Sequence, residues 1–495
     1  MKKIKFLMLS LLMIGTISAS AQLYISSGTE FYIAPSEQVT SAEQVQNAGT
    51  LTIAAGATAT LNGGATGAGV IKGTSTSNLV IGGTSTTGTY NFDQTTPGTT
   101  NVLKDLTLSG STTATLGNTL NITAGATAGT VIVGSGTTLT TGGNLIIKSN
   151  ATGTARIGTS SGTISGNVVV ERYLPATRRA YRFLASPVTT TGGVFASWQE
   201  SGTNAAGLGI QVSGIAGAAP GGVDATTGLD MTTTGSSSMF SYNGSAWAAV
   251  TNTKTTQLTP GAGFRVLVRG DRLTDLYASS TPAATATTIK ATGAVGQGIV
   301  TLSSLATGFN LLGNPYPSSI DWNASGWQAA RNLTNVYDAI YIYDPAVVAS
   351  TSSMTYPTYL TGVGGTNNGS NIIRSGQAFF VEAAASASIS FEEAYKSTTV
   401  TGGFFRSAMP EFMRITYMQN NDHLDDIIIN FNDDAQADFD PRFDAISMGG
   451  DANGLASFKN AGIEEIERSI AGYLPVYALW AGLITFLIPL LFQFK

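Results

Sequence analysis

Few residues in this chain combine the types and spacing that chemistry requires. Gly158-Thr159-Ser160-Ser161-Gly162 fits the G-x-S-x-G pattern, in which a serine on a tight strand-to-helix turn serves as a nucleophile. Such an elbow needs a helix after it and a histidine to act as base. The next residues, Thr163-Ile164-Ser165-Gly166, have no helical pattern, and the chain holds a single histidine, His423. In a stretch this rich in Gly, Ser and Thr the match is a product of composition, and no catalytic residue is expected. His423 lies in Asn421-Asp422-His423-Leu424-Asp425-Asp426 and reads as a solvated turn residue, since no second histidine exists to complete a zinc site.

Hard oxygen ligands are gathered in Asn432-Asp433-Asp434-Ala435-Gln436-Ala437-Asp438-Phe439-Asp440. Asp433, Asp434, Asp438 and Asp440 are the candidate ligands of a weak structural calcium ion, the one cofactor that the sequence suggests. The stretch lacks the D-x-[DN]-x-[DN]-G register and the distal glutamate of a calcium loop, so a solvated acidic loop is the competing reading.

Aromatic side chains offer a different chemistry, stacking on the faces of sugar rings. Trp198 and Trp322 follow the same short signatures in two copies of a repeat, which points to a core role for both. Trp247 and Trp327 have no such equivalence and remain the candidate carbohydrate contacts. A solenoid hydrolase or lyase would need clustered carboxylates with Arg or Lys along one face. Between Leu23 and Ser165 the only charges are Glu30, Glu37, Glu43, Lys72, Asp93, Lys104, Asp105, Lys148 and Arg156, and they are scattered.

The elements that must position these residues are nearly all strands. Tyr181-Arg182-Phe183-Leu184-Ala185-Ser186-Pro187 with Trp198 is echoed by Phe309-Asn310-Leu311-Leu312-Gly313-Asn314-Pro315 with Trp322. Each copy continues to an aromatic pair, Phe240 with Tyr242 and Tyr341 with Tyr343, and closes on a glycine-aromatic strand, Gly261–Val266 and Gly376–Val381. Order is kept while loop length drifts, as in a duplicated scaffold. Two related β-sandwich-like modules are therefore expected, at 166–290 and 291–397.

Before them, residues 23–165 form short apolar strand patterns set between Gly, Thr and Asn. The leucines at 51, 79, 106, 120 and 145 are separated by 28, 27, 14 and 25 residues. This irregular period suggests a loose β-solenoid with stacked apolar interiors and Thr or Asn ladders at its turns. After the modules, Phe412–Tyr417 and Asp426–Phe431 read as paired strands around Asn420-Asn421-Asp422-His423, in a small acidic β domain at 398–470. The fold class is all-β throughout.

Only 11% of the 495 residues are charged, against about 25% in ordinary soluble proteins. Such a surface argues against a nucleic-acid partner, which calls for dense Lys and Arg. Lys2, Lys3 and Lys5, the apolar run to Ile17 and Ala19-Ser20-Ala21 read as a secretory signal peptide over 1–21, whose removal changes the formal charge from −5 to −8. There is no cysteine, hence no disulfide framework and no thiolate metal site. Within the apolar tail 471–495, Tyr473 to Phe492 is uncharged and about as long as a membrane span. It reads either as a transmembrane helix or as a departure from the chain's original course through truncation or a changed reading frame.

At Arg172-Tyr173-Leu174-Pro175, Tyr181–Pro187, Asn310–Ser318 and Ser375–Val381 the chain resembles the large secreted, adhesin-like surface proteins exported by the type IX secretion system. The resemblance implies a surface-attached or extracellular structural role rather than a reaction. The expected function is a non-enzymatic, adhesin-like scaffold of the cell surface, outer membrane or extracellular matrix, with surface polysaccharide or other cell-surface proteins as partners. The alternative is a carbohydrate-binding module array of a polysaccharide-attachment system. A sorting domain of that group should follow the acidic domain, and the apolar tail stands there instead. A true membrane helix at 473–492 would hold the chain at the inner membrane with its body in the periplasm.

Overall fold

The structure, a computed structural model, describes residues 3–4, 22–398, 412–419, 422–430 and 445, apart from 85, 177–178, 218–221, 278–283, 344–355 and 367–368. The signal-peptide core, the calcium candidates Asp433, Asp434, Asp438 and Asp440, and the apolar tail lie outside the described residues.

Residues 24–165 wind into a parallel β-solenoid of about six turns with three faces. One face stacks Glu30–Ile33, Thr50–Ile53, Val70–Lys72, Thr87–Phe92, Thr113–Leu116, Thr138–Thr140 and Thr163–Ser165. A second stacks Gln38–Ser41, Thr58–Leu61, Asn78–Ile81, Asp105–Leu108, Thr130–Val133 and Arg156–Ile157. Alternate residues point inward, so Leu79, Leu106 and Val131 are fully buried in one column and Ile81, Leu108 and Val133 in the next. Each such side chain contributes about 1.5–3 kcal/mol on leaving water.

The register explains the uneven leucine spacing. Leu51 sits on the first face, Leu79 lies opposite Leu106 on the second, and Leu120 lies opposite Leu145 on the third. Counting leucines across faces mixes three columns. Within one face the repeat is steady, with Glu30 opposite Thr50 and Thr50 opposite Val70 near the N-terminus. Rungs lengthen later, where Thr113 lies opposite Thr138 and Thr138 opposite Thr163.

Polar stacking closes the turns. Asn101 is completely buried, donates from Nδ2 to Gln94 Oε1 and Thr119 O, and accepts from Asn121 Nδ2 at 3.1 Å. The hydroxyls of Thr86 and Thr112 meet at 2.8 Å one rung apart. At Gly83, where φ is 105°, a Cβ would lie 1.7 Å from Asn62 O, so the close approach of successive turns admits only glycine.

No break separates the solenoid from the first module. Asn167–Leu174 pairs in parallel with Leu145–Ile147 on one side and antiparallel with Thr287–Val295 on the other. One hydrophobic core accordingly runs from Ile25 to Val295. In the first module, Ala180–Ala185, Gly263–Val268, Met239–Tyr242 and Trp247–Ala249 form an antiparallel sheet in that spatial order. The second repeats the topology with Gly308–Gly313, Ala378–Ala383, Val336–Tyr341 and Thr358–Leu360, extended by Gly364–Thr366. Each sheet is backed by further antiparallel strands, Thr287–Val295 between Asn167–Leu174 and Val188–Thr190 in the first module and Val300–Leu305 with Ala387–Phe391 in the second. Both modules are therefore sandwich-like.

The two sheets meet through reciprocal contacts made by the echoed signatures. Ala185 N–H donates to Gly376 O at 2.9 Å, and its counterpart Gly313 N–H donates to Gly261 O at 2.8 Å. Leu184 lies opposite Gln377 as Leu312 lies opposite Ala262. Small residues are required there, because a Cβ on Gly313 would fall 2.6 Å from Ala185 Cβ and from Ala262 O. The reciprocity is that of an isologous dimer interface built within one chain. Around it Phe183, Leu311, Tyr341, Tyr343 and Phe380 form an aromatic core.

The acidic segment contributes the antiparallel pair Phe412–Gln419 and Asp422–Asn430. Its second strand begins at Asp422, so His423 is a strand residue opposite Met418 rather than part of the turn.

Candidate functional site

Trp327 does not present a ring to solvent. It opens the short helix Trp327–Leu333, is 1% exposed, and stacks on Tyr395 at 4.5 Å and 12°. Trp322 and Phe391 meet it edge-on, and the Arg331 guanidinium lies 5.1 Å from its centroid. A sugar has no free face to occupy, and Trp327 leaves the set of carbohydrate contacts. The missed signal was helical: Trp327 and Arg331, four residues apart, are the two buried residues of that helix.

Trp198 and Trp322 are 2% and 0% exposed, as their equivalence in the repeat implied. Each adjoins a buried ion pair that sequence reading did not anticipate. In the first module both oxygens of Asp230 accept from Arg272, at 2.8 and 3.2 Å. Asp230 also accepts from Gln199 Nε2 and Val212 N–H, while Arg272 donates to the carbonyls of Thr203 and Ile210. In the second, Arg331 reaches Asp338 at 3.2 Å, donates to Trp322 O, and lies 3.8 Å from the centroid of the Trp322 ring. Burial pulls the Arg331 guanidinium down to about 10, with Asp338 opposing the shift. Both pairs are sealed from solvent and act as structural staples.

Trp247 is different. It begins the edge strand Trp247–Ala249 and is half-buried beside the exposed turn Asn243–Ala246. Tyr242 lies 5.1 Å from its ring, Phe183 and Phe380 5.9 Å. Arg265 lies 4.6 Å from the Trp247 centroid, 4.1 Å from Tyr181 and 5.0 Å from Phe240. The result is a half-exposed aromatic surface with a guanidinium set among three rings, a geometry suited to stacking and cation–π contact. Arg265 was missed because its partners come from three separate strands.

The G-x-S-x-G segment is a docking element. Ser160 follows the strand Arg156–Ile157 and precedes Thr163–Ser165, with no helix. Its hydroxyl donates to Gly158 O and accepts from Val133 N–H, and its own N–H donates to the Glu393 carboxylate at 2.9 Å. Lys396 bridges Glu393 at 2.7 Å and donates to Gly158 O. Ile157 N–H donates to Pro317 O, and Arg156 to Thr398 O. The second module thereby clasps the last rung of the solenoid and covers its exposed strand edge.

Among the described residues there is no group of three or more His, Cys, Asp or Glu that could hold a metal ion, and no helix long and apolar enough to cross a membrane. Residues 223–467, just under half of the chain, match a domain family described as "Domain of unknown function" (DUF8693). The match starts inside the first module and runs through the second into the acidic segment, leaving out the solenoid. No curated protein and no solved structure matches the chain.

Proposed function

We propose that the chain is a non-enzymatic, exported structural protein of the cell surface or extracellular matrix, adhesin-like in role. The observation that carries this reading is the use made of its reactive-looking residues. The G-x-S-x-G serine docks one module on the solenoid, the repeated tryptophans fill cores, and two Arg–Asp pairs staple the modules. A capped solenoid bearing a fused module pair is a rigid spacer with a broad end, which suits display better than turnover. Fractionation of producing cells with intact-mass measurement tests it. The expected product starts at Gln22 and is open to protease added outside the cell. Recovery only from the cytosol, with residues 1–21 retained, would overturn the reading.

A second reading, carbohydrate binding, is favoured by the half-exposed Trp247 beside Tyr242 and Arg265. A glycan array separates the two. Saturable binding that Trp247→Ala abolishes supports carbohydrate recognition, whereas Trp327→Phe is expected to act on stability alone.

A further inference from the structure

Arg172-Tyr173-Leu174-Pro175 and Ser375-Gly376, two motifs far apart in the chain, meet in space. Arg172, Tyr173 and Pro175 line a cavity of about 190 Å³ together with Arg156 of the solenoid and Arg374 of the second module. A water occupies about 30 Å³ of liquid, so the space accommodates several waters or one polyatomic ion. Hydroxyl groups complete the wall, those of Thr154, Ser318, Ser319 and Ser375. None of the described residues lining it is acidic. Asn150, Ala151 and Pro175 at its rim are exposed, which opens it to solvent.

Three guanidiniums from three parts of the chain converge here. Arg172 is held in place from two sides, by the Thr154 hydroxyl at 3.4 Å and by Gly376, whose missing Cβ would meet the Arg172 stem at 3.3 Å. Burial, then repulsion from Arg374 and Arg182, pulls the Arg172 guanidinium down to about 9. Arg156 has a nearby carboxylate in Asp105, outside the cavity lining. A cavity lined by three arginines and four hydroxyl side chains, with no carboxylate among its described lining residues, is complementary to a multivalent oxyanion.

We propose that this cavity binds a sulfate- or phosphate-type oxyanion, as a free ion or as an ester carried on a glycan. The anion would bridge Arg172 of the first module, Arg374 of the second and Arg156 of the last rung, and so tie all three parts together. The proposal is independent of the structural role proposed for the whole chain and of Trp247.

Calorimetric titration of the purified chain with sodium sulfate, with dextran sulfate and with neutral dextran tests it, with chloride balancing ionic strength. Binding of sulfate, of dextran sulfate or of both, weakened at least about tenfold by Arg172→Gln or Arg374→Gln, supports the site. Sulfate alone identifies the free ion as ligand, and dextran sulfate alone identifies the ester. Arg156→Gln, at the half-exposed wall, provides a variant with less risk to folding. The melting temperature of the wild-type protein in sulfate against chloride gives a readout that needs no variant. Absence of both heat and a sulfate-specific rise in melting temperature at millimolar sulfate and with dextran sulfate would overturn the proposal. So would binding that all three variants leave unchanged.

Discussion

In the solenoid, stability is spread over many similar side chains of modest size, each backed by the same type of residue one rung above and below. In the module pair it is concentrated in a few large groups. Trp198, Trp322, Trp327 and two buried Arg–Asp pairs occupy the centres of two sandwiches, and the sandwiches then share an aromatic core. The two regions draw on the same low-charge composition. What differs is the range of contact: an inner rung touches only its neighbours, whereas a module closes on residues far away in sequence. Damage to a rung should therefore stay local, and damage to a module centre should spread.

The sharpest way to break this contrast is Asp230→Ala, which leaves Arg272 buried without its carboxylate. A loss of about 3–5 kcal/mol is expected in urea unfolding, with the whole module pair released together. Leu106→Ala in the solenoid core should cost about 3 kcal/mol. Hydrogen exchange should then show faster opening around Leu79, Leu106 and Val131, with protection of Gly263–Val268 retained. Equal loss of protection in both regions would mean that the solenoid and the modules form one cooperative unit.

A smaller effect is expected from alkali. Tyr90 is buried in the solenoid, and burial pushes its phenol up to about 12 from an ordinary 10. The neutral form is favoured by folding, so this contribution is complete below pH 10 and is lost as pH rises through 12. It amounts to about 2–3 kcal/mol. Tyr90→Phe should flatten the solenoid's alkaline loss over that range in a circular-dichroism titration. Tyr316 in the second module is also pushed up, by burial first and then by Glu393 and Glu392. The variant should leave the alkaline transition of the modules in place.

Much of this architecture could be read from residue order. Strand-length apolar runs between Gly and Thr turns announced the solenoid, and the echoed Leu184-Ala185-Ser186-Pro187 and Leu312-Gly313-Asn314-Pro315 announced the duplication. The sequence could not say that the echoes face each other, because reciprocity depends on how two sheets dock. Leucine spacing misled because neighbouring leucines belong to different faces. Trp327 was misplaced because a two-turn helix hides among strands. Arg172 and Arg374 could not be linked in advance, since nothing in their local sequence marks a shared cavity. The candidates at the acidic stretch have no counterpart among the described residues.

The clasp between the second module and the last rung carries a consequence for how the chain acquires its shape. Rungs form between segments about one turn apart, so they can close in order as the N-terminal part becomes available. The bonds from Lys396 Nζ to Gly158 O and from Ser160 N–H to the Glu393 carboxylate span 238 and 233 residues. Closing such long loops is slow relative to local pairing. Until Pro317 arrives to accept from Ile157 N–H, and residues 393–396 after it, the strand edge at Arg156–Ile157 is open and able to recruit another chain. A partner that binds that edge would have to act in this interval, and a chain truncated before Pro317 should aggregate through it.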